Sequence, residues 1–219
     1  MANANEASAG TLVEDWSGDK ETFKVHWGKA MMWIFLLSDT FIFTSFLTSY
    51  TNVRMSTAEP WPNASEVFAL TMFGHSIPLI LIAIMTFVLI TSSGTMALAV
   101  NFGYRRDRKK TATLLVITAL LGATFVGMQA FEWSKLIAEG VRPWGTPMGA
   151  AQFGSCFFMI TGFHGGHVTG GVIYLAYVAT GVINGRYEKK GYDIVEICGL
   201  YWHFVDLVWV FIFAFFYLW

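Results

Sequence analysis

Five long stretches in which nearly every residue is apolar alternate with short polar connections along this chain. They run from Ala30 to Tyr50, Ser76 to Val100, Ala112 to Trp133, Phe153 to Ile183 and Ile197 to Leu218. A helix needs ~20 such residues to cross a hydrocarbon core of ~30 Å. The pattern therefore predicts an all-α fold, a polytopic membrane bundle of five transmembrane helices with no soluble domain inserted. The fourth stretch exceeds what a bilayer requires, which allows it to tilt or to project past the surface. Residues 1–29 are polar and mixed in charge, with no apolar run ahead of a small-residue cleavage site. They read as a polar cytoplasmic tail before a membrane domain of residues 30–219, not as a cleaved secretory signal. Pro60-Trp61-Pro62 reads as a turn in the first connection.

Composition narrows the class further. Hydrophobic residues make up 55% of the 219 and charged residues only 13%, about half the share of a soluble domain, and the mean hydropathy is +0.51. A net charge of -1 leaves no basic excess for a nucleic-acid partner, and so apolar a chain is not disordered. Cys156 and Cys198 sit in apolar stretches without a metal-ligand spacing, so neither a disulfide framework nor a thiolate metal site is expected.

Orientation follows from the basic residues of alternate connections, because cytoplasmic loops carry the excess of Lys and Arg. Lys20, Lys24, Lys29, Arg105, Arg106, Arg108, Lys109, Lys110, Arg186, Lys189 and Lys190 fall on one side; Arg54, Lys135 and Arg142 fall on the other. The expectation is an N-terminus inside and a C-terminus outside, with the aromatic ending FFYLW anchored at the outer interface.

Ionisable groups inside a membrane span are costly and therefore functional candidates. The first span holds Asp39, the third Glu132, the fourth His164 and His167, and the fifth His203 and Asp206, with Glu196 at its edge. Asp39 lies roughly 14 Å into its span at helical rise, too deep for a short side chain to reach the surface. It is open to three readings: a proton-binding carboxyl, a carboxyl paired with a neighbouring subunit, or an acid hydrogen-bonded to a helix neighbour such as Ser38. His164 and His167 share a helix face, as do His203 and Asp206, and imidazoles invite a metal or haem reading. Depth argues against it, since His167 and His203 are offset by roughly 15 Å along antiparallel helices. Hydrogen bonding across helices, or to lipid headgroups, suits these residues better. Gly162, Gly165, Gly166, Gly170 and Gly171 add small-residue spacings that predict a close approach of the fourth span to the fifth.

TGFHGGHVTGG at Thr161 to Gly171 and YWHFVDLVW at Tyr201 to Trp209 resemble the two signature segments of subunit III of the haem-copper terminal oxidases. WIFLLSDTFIF at Trp33 to Phe43, ITSSG at Ile90 to Gly94 and GMQAFEW at Gly127 to Trp133 resemble that family's earlier helices, in order. The length is similar to the short bacterial form, which lacks two leading helices that elsewhere form half of a lipid-filled cleft. The resemblance implies a multi-pass subunit of the bacterial inner (plasma) membrane that is accessory to the reduction of dioxygen and to proton pumping. Such a subunit carries no haem, copper or other metal; haem and copper reside in its partners, subunits I and II. It packs against the catalytic subunit, binds phospholipid, helps sustain proton uptake and protects the centre from inactivation during turnover. The chain is then part of an oxygen-reducing translocase without catalytic residues of its own. By the same resemblance Asp39 takes the place of the family's membrane carboxyl, which is typically Glu in cytochrome c oxidases and often Asp in quinol oxidases. Glu132, His164, His167, Glu196, His203, Asp206 and Trp209 fall on motif positions that imply structural and lipid-facing polar contacts. The signature segments are closer to cytochrome c oxidases, while Ser38-Asp39 and the five spans also suit quinol oxidases; a nitric oxide reductase-associated homologue is a third cousin. A stand-alone proton channel and a small membrane haem protein are the readings from other classes.

Overall fold

The structure is a computed structural model that describes residues 27–68, 70–72, 75–77, 79–147, 149–188 and 191–219. The polar tail up to residue 26 lies outside the described residues, with Lys20 and Lys24, and so do Lys189 and Lys190. All five expected spans are present as helices: α1 (Trp27–Ser56), α3 (Ile80–Tyr104), α4 (Arg108–Ala138), α5 (Gln152–Ile183) and α6 (Asp193–Phe213), the last continuing through a π turn over Ala214–Leu218. The chain is a multi-pass membrane protein. Between α1 and α3 lie a four-residue helix α2 (Ala64–Val67) and a small antiparallel hairpin of β1 (Leu70–Met72) and β2 (His75–Ile77), in register Leu70 with Ile77 and Met72 with His75. Ser76, expected to open the second span, belongs to this hairpin, and the helix starts at Ile80.

The other helices outrun their apolar stretches because the backbone bonds continue through polar flanking residues until a cap stops them. Three stop in the same way. At the ends of α3, α4 and α5 the residue after the cap takes a left-handed backbone: Arg106 (φ 57), Gly140 (φ 90) and Gly185 (φ 71). In each case the next amide bonds five residues back, Asp107 to Phe102, Val141 to Leu136 and Arg186 to Gly181, which satisfies the orphan carbonyls of the last turn. Asp107 then serves a second purpose, because its carboxylate accepts from the Lys110 amide and caps α4.

Helices α3, α4, α5 and α6 pack in a closed ring, each against the next, and α1 lies outside it against α5 and α6. Only 17% of the apolar window of α1 is buried, against 44% for the last span, which places α1 at the periphery. The ring interior is filled by Trp202 and Trp209 of α6 with Phe125, Leu115, Leu89, Met96 and Phe157. Gly122 of α4 makes room for this: a Cβ there would collide with the Trp202 ring edge and with Val172. The glycines of α5 divide. Gly171 lies against Trp202 and Tyr201, and Gly162 against Trp133, but Gly165 and Gly166 meet nothing within 4 Å, so the close approach to α6 rests on part of the expected stripe only.

Candidate functional site

Asp39 and His167 meet inside the bundle. Asp39 Oδ2 lies 3.0 Å from His167 Nε2, with side-chain exposures of 5% and 17%. The helix geometry explains the contact: Asp39 turns inward from α1 between buried Leu36 and Phe43, and His167 points out of the ring at α1. Ser38 takes no part, since its hydroxyl donates to the Phe35 carbonyl one turn back. The other imidazole nitrogen is spoken for. His167 Nδ1 lies 2.8 Å from the Phe163 carbonyl oxygen, which can only accept, so Nδ1 carries the hydrogen. Nε2 then faces an acid oxygen across 3.0 Å, close enough for an ion pair but without hydrogen-bond geometry. The rings of Phe43 and Phe163 stand against the imidazole at 5.6 and 4.7 Å and keep the pair dry. Tyr201 of α6 donates to the His167 backbone carbonyl at 2.9 Å and ties this turn of α5 to the ring.

His164 sits one turn away on the ring side. It is fully buried, and neither nitrogen has a hydrogen-bond partner among the described residues. Its imidazole stacks on Trp209 at 5.4 Å and meets the edges of Phe125 and Phe43 at 6.1 and 6.3 Å. Trp209 in turn donates its indole N–H to Thr86 of α3 at 3.0 Å.

The remaining candidates lie at other depths. Glu196 pairs with Lys29 at 2.6 Å at the basic end of the bundle. His203 Nδ1 lies 2.6 Å from the Ser93 hydroxyl of α3, which also faces the Asp206 carboxyl. Glu132, buried near the opposite end, accepts from Tyr217 of the π turn at 3.2 Å and from Gln129 at 3.2 Å. His167 and His203 thus have different partners. Among the described residues, no group of three or more His, Cys, Asp or Glu is placed to hold a metal ion. Sequence reasoning overlooked Ser93, Tyr217 and Lys29 as partners; Ser93 lies within ITSSG and Tyr217 within FFYLW, where it read as an interfacial anchor.

Outside the spans, the Lys110 amide and ammonium hold the Asp107 carboxyl below its ordinary range, and burial pushes the Tyr192 hydroxyl up. A groove of about 660 Å³ runs between α1 and α6, lined almost entirely by apolar and threonine side chains.

Comparison with known proteins places this architecture. The family model described as cytochrome c oxidase subunit III matches residues 12–219. The chain is 32% identical over 191 residues to cytochrome c oxidase subunit 3 of Alkalihalophilus pseudofirmus, covering 85% of this chain and 84% of that one. It is also 32% identical over 191 residues to cytochrome c oxidase subunit 3 of Bacillus sp. strain PS3, covering 85% and 83%. A probable quinol oxidase subunit 3 of Staphylococcus saprophyticus is 29% identical over 196 residues, covering 90% of each chain. With a match that reaches from before the first span to the last residue, and with five helices of membrane-spanning length, the chain belongs to the cytochrome c oxidase subunit III family.

Proposed function

We propose that this chain is the accessory, non-redox subunit of a proton-pumping haem-copper oxidase in a bacterial inner membrane. Haem and copper are held by its partners, subunits I and II, phospholipid binds at its apolar surface, and cytochrome c is the electron donor. The N-terminus lies inside: Lys29, Arg105, Arg106, Arg108, Lys109, Lys110 and Arg186 all stand at one end of the bundle. One observation carries the proton-related part of the reading. A carboxyl and an imidazole stand 3.0 Å apart in a largely buried contact between the peripheral helix and the ring. Two ionisable groups placed together within a span mark a functional contact, and this one is suited to supporting proton uptake by a neighbouring catalytic subunit.

The test is to purify the complex through a tag on this chain and compare wild type with Asp39→Asn. The variant is expected to keep its haem-bearing companions and haem content, with slower proton uptake or fewer turnovers before inactivation. Unchanged turnover and lifetime, together with failed assembly, would make Asp39 purely structural. Quinol as donor is the second reading, favoured by the similarity to the staphylococcal quinol oxidase subunits. Oxidation of reduced cytochrome c or of a quinol by the same preparation separates the two.

A further inference from the structure

At the end of the bundle where α2 sits, a buried acid stands beside a cavity the size of a water molecule. Glu132 is 3% exposed. Next to it, between the last turns of α4 and the Val67–Phe68 segment, lies a cavity of about 10 Å³, close to the ~10–15 Å³ that one water needs. Phe68, Ile82 and Leu136 give it apolar walls, and among the described residues only α4 brings polar side chains to it, Glu132 and Lys135. Protein donors serve the carboxyl incompletely. The Tyr217 hydroxyl reaches Oε1 and Oε2 at 3.3 and 3.2 Å, and the Gln129 amide donates to Oε2 at 3.2 Å. Both Tyr217 contacts are longer than the ~3.0 Å usual for O–H···O bonds, and a carboxylate has about four acceptor sites to fill. Tyr217 belongs to the π turn, a rare geometry frequent at functional sites. Lys135 leads from the cavity to solvent. Its ammonium lies 3.5 Å from Glu139, and these two side chains are 24% and 34% exposed.

We propose that this cavity holds one ordered water, through which Glu132 exchanges its proton with the medium at the Lys135–Glu139 end of the bundle. A water there donates to the carboxylate and accepts from Lys135, which meets the minimum of two polar partners for a buried water. In the exchange only O–H bonds break and form. The acid proton passes to the water, and a proton of the water leaves past the Lys135–Glu139 pair to bulk solvent. Burial opposes a charge on Glu132, whereas Tyr217, Gln129 and Lys135 support it, and α2 and α3 bring no charged side chain to the cavity among the described residues. The N-terminus-in orientation proposed above makes this end the outer one; the exchange itself holds in either orientation.

The water is tested by radiolytic footprinting of the intact complex in isotope-labelled water, since an X-ray pulse splits a bound water into radicals that oxidise the side chains around it. Ile82 and Leu136, each 1% exposed, line the cavity, and Leu89 and Leu115, each 0% exposed, serve as shielded references. Oxidation of the lining pair is expected at least fivefold above the references, with labelled oxygen incorporated. Glu132→Gln, which keeps two polar atoms, should stay within twofold of wild type, and Glu132→Leu should fall to the reference level. Oxidation at the reference level in the wild type would overturn the water site whether or not the variants assemble, and unchanged oxidation in Glu132→Leu would remove Glu132 as its partner. The proton is read from infrared difference spectra of the same complex between acid and alkaline pH. A carboxyl C=O band that is absent from Glu132→Gln but kept in Asp39→Asn is expected; identical spectra for wild type and Glu132→Gln would overturn the exchange. Neither readout depends on the electron donor or on turnover, so failure here leaves the proposed family role in place.

Discussion

A close contact between two ring helices joins Gly122 to Trp202, and it makes a quantitative prediction for Gly122→Ala. The added Cβ would overlap the Trp202 ring edge, 2.9 Å from Cζ2, and would lie 2.8 Å from Val172 Cγ2. Carbon atoms settle at about 3.5–4.0 Å, so the neighbours must give by close to 1 Å. Trp202 has nowhere free to go, being 1% exposed, with its indole N–H bonded to Ser92 at 2.9 Å. Overpacking of this kind costs about 1–3 kcal/mol. Displacing the indole far enough to break its hydrogen bond adds about 0.5–1.5 kcal/mol. The expected loss is therefore about 2–4 kcal/mol. Trp202→Phe removes the ring edge that the methyl would strike, so the double variant should be less unstable than the sum of the single ones by more than ~1 kcal/mol. Unfolding of the purified chain in mixed micelles of a mild detergent and SDS, followed by circular dichroism, measures all four corners of the cycle. A Gly122→Ala variant within ~0.5 kcal/mol of wild type, or strictly additive effects, would refute the close contact.

Two further outcomes are expected. Tyr217→Phe removes a hydroxyl that donates to the buried Glu132 carboxyl, leaving its bond from Gln129, and should cost about 1–3 kcal/mol in the same unfolding assay, recovered in large part by adding Glu132→Gln. Because the folded Asp107 carboxyl is held below its usual 3.8, its capping contribution is complete above that pH and disappears as pH falls through the lower folded value; Asp107→Asn should flatten this acid limb of the stability profile and leave neutral pH little changed.

The five spans were legible because a bilayer demands so much uninterrupted apolar length that the pattern survives any detail of packing. Their ends were not. Arg108 to Thr111 and Ser134 to Ala138 are helical although they add little hydropathy, since backbone bonding continues until a left-handed residue stops it. Gly140 and Gly185 advertise such stops; Arg106 fills the same slot with nothing in its chemistry to announce it. Within the site, Asp39, Glu132 and the histidines stood out as ionisable groups in apolar runs, but their partners depended on which helices become neighbours. Asp39 looked to Ser38 along the sequence and found His167 in space. Ser93 escaped notice because a serine inside a span ordinarily bonds back to its own helix, as Ser92 does to Leu89. Gly165 and Gly166 fit the small-residue spacing, but a Cβ at either would meet nothing within 4 Å.

The polar fastenings of α1 bear on the order in which the protein is made. Lys29, Asp39 and Arg54 meet Glu196, His167 and the Trp219 carbonyl, so α1 is secured by groups synthesised well after it. Arg54 precedes its partner by 165 residues. At about 5–20 residues per second that separation is roughly 8–33 s of translation. For all of this interval α1 must remain in the bilayer without the Arg54 attachment, held mainly by its hydrophobicity. The last of these attachments waits until the turn at Trp219 has formed.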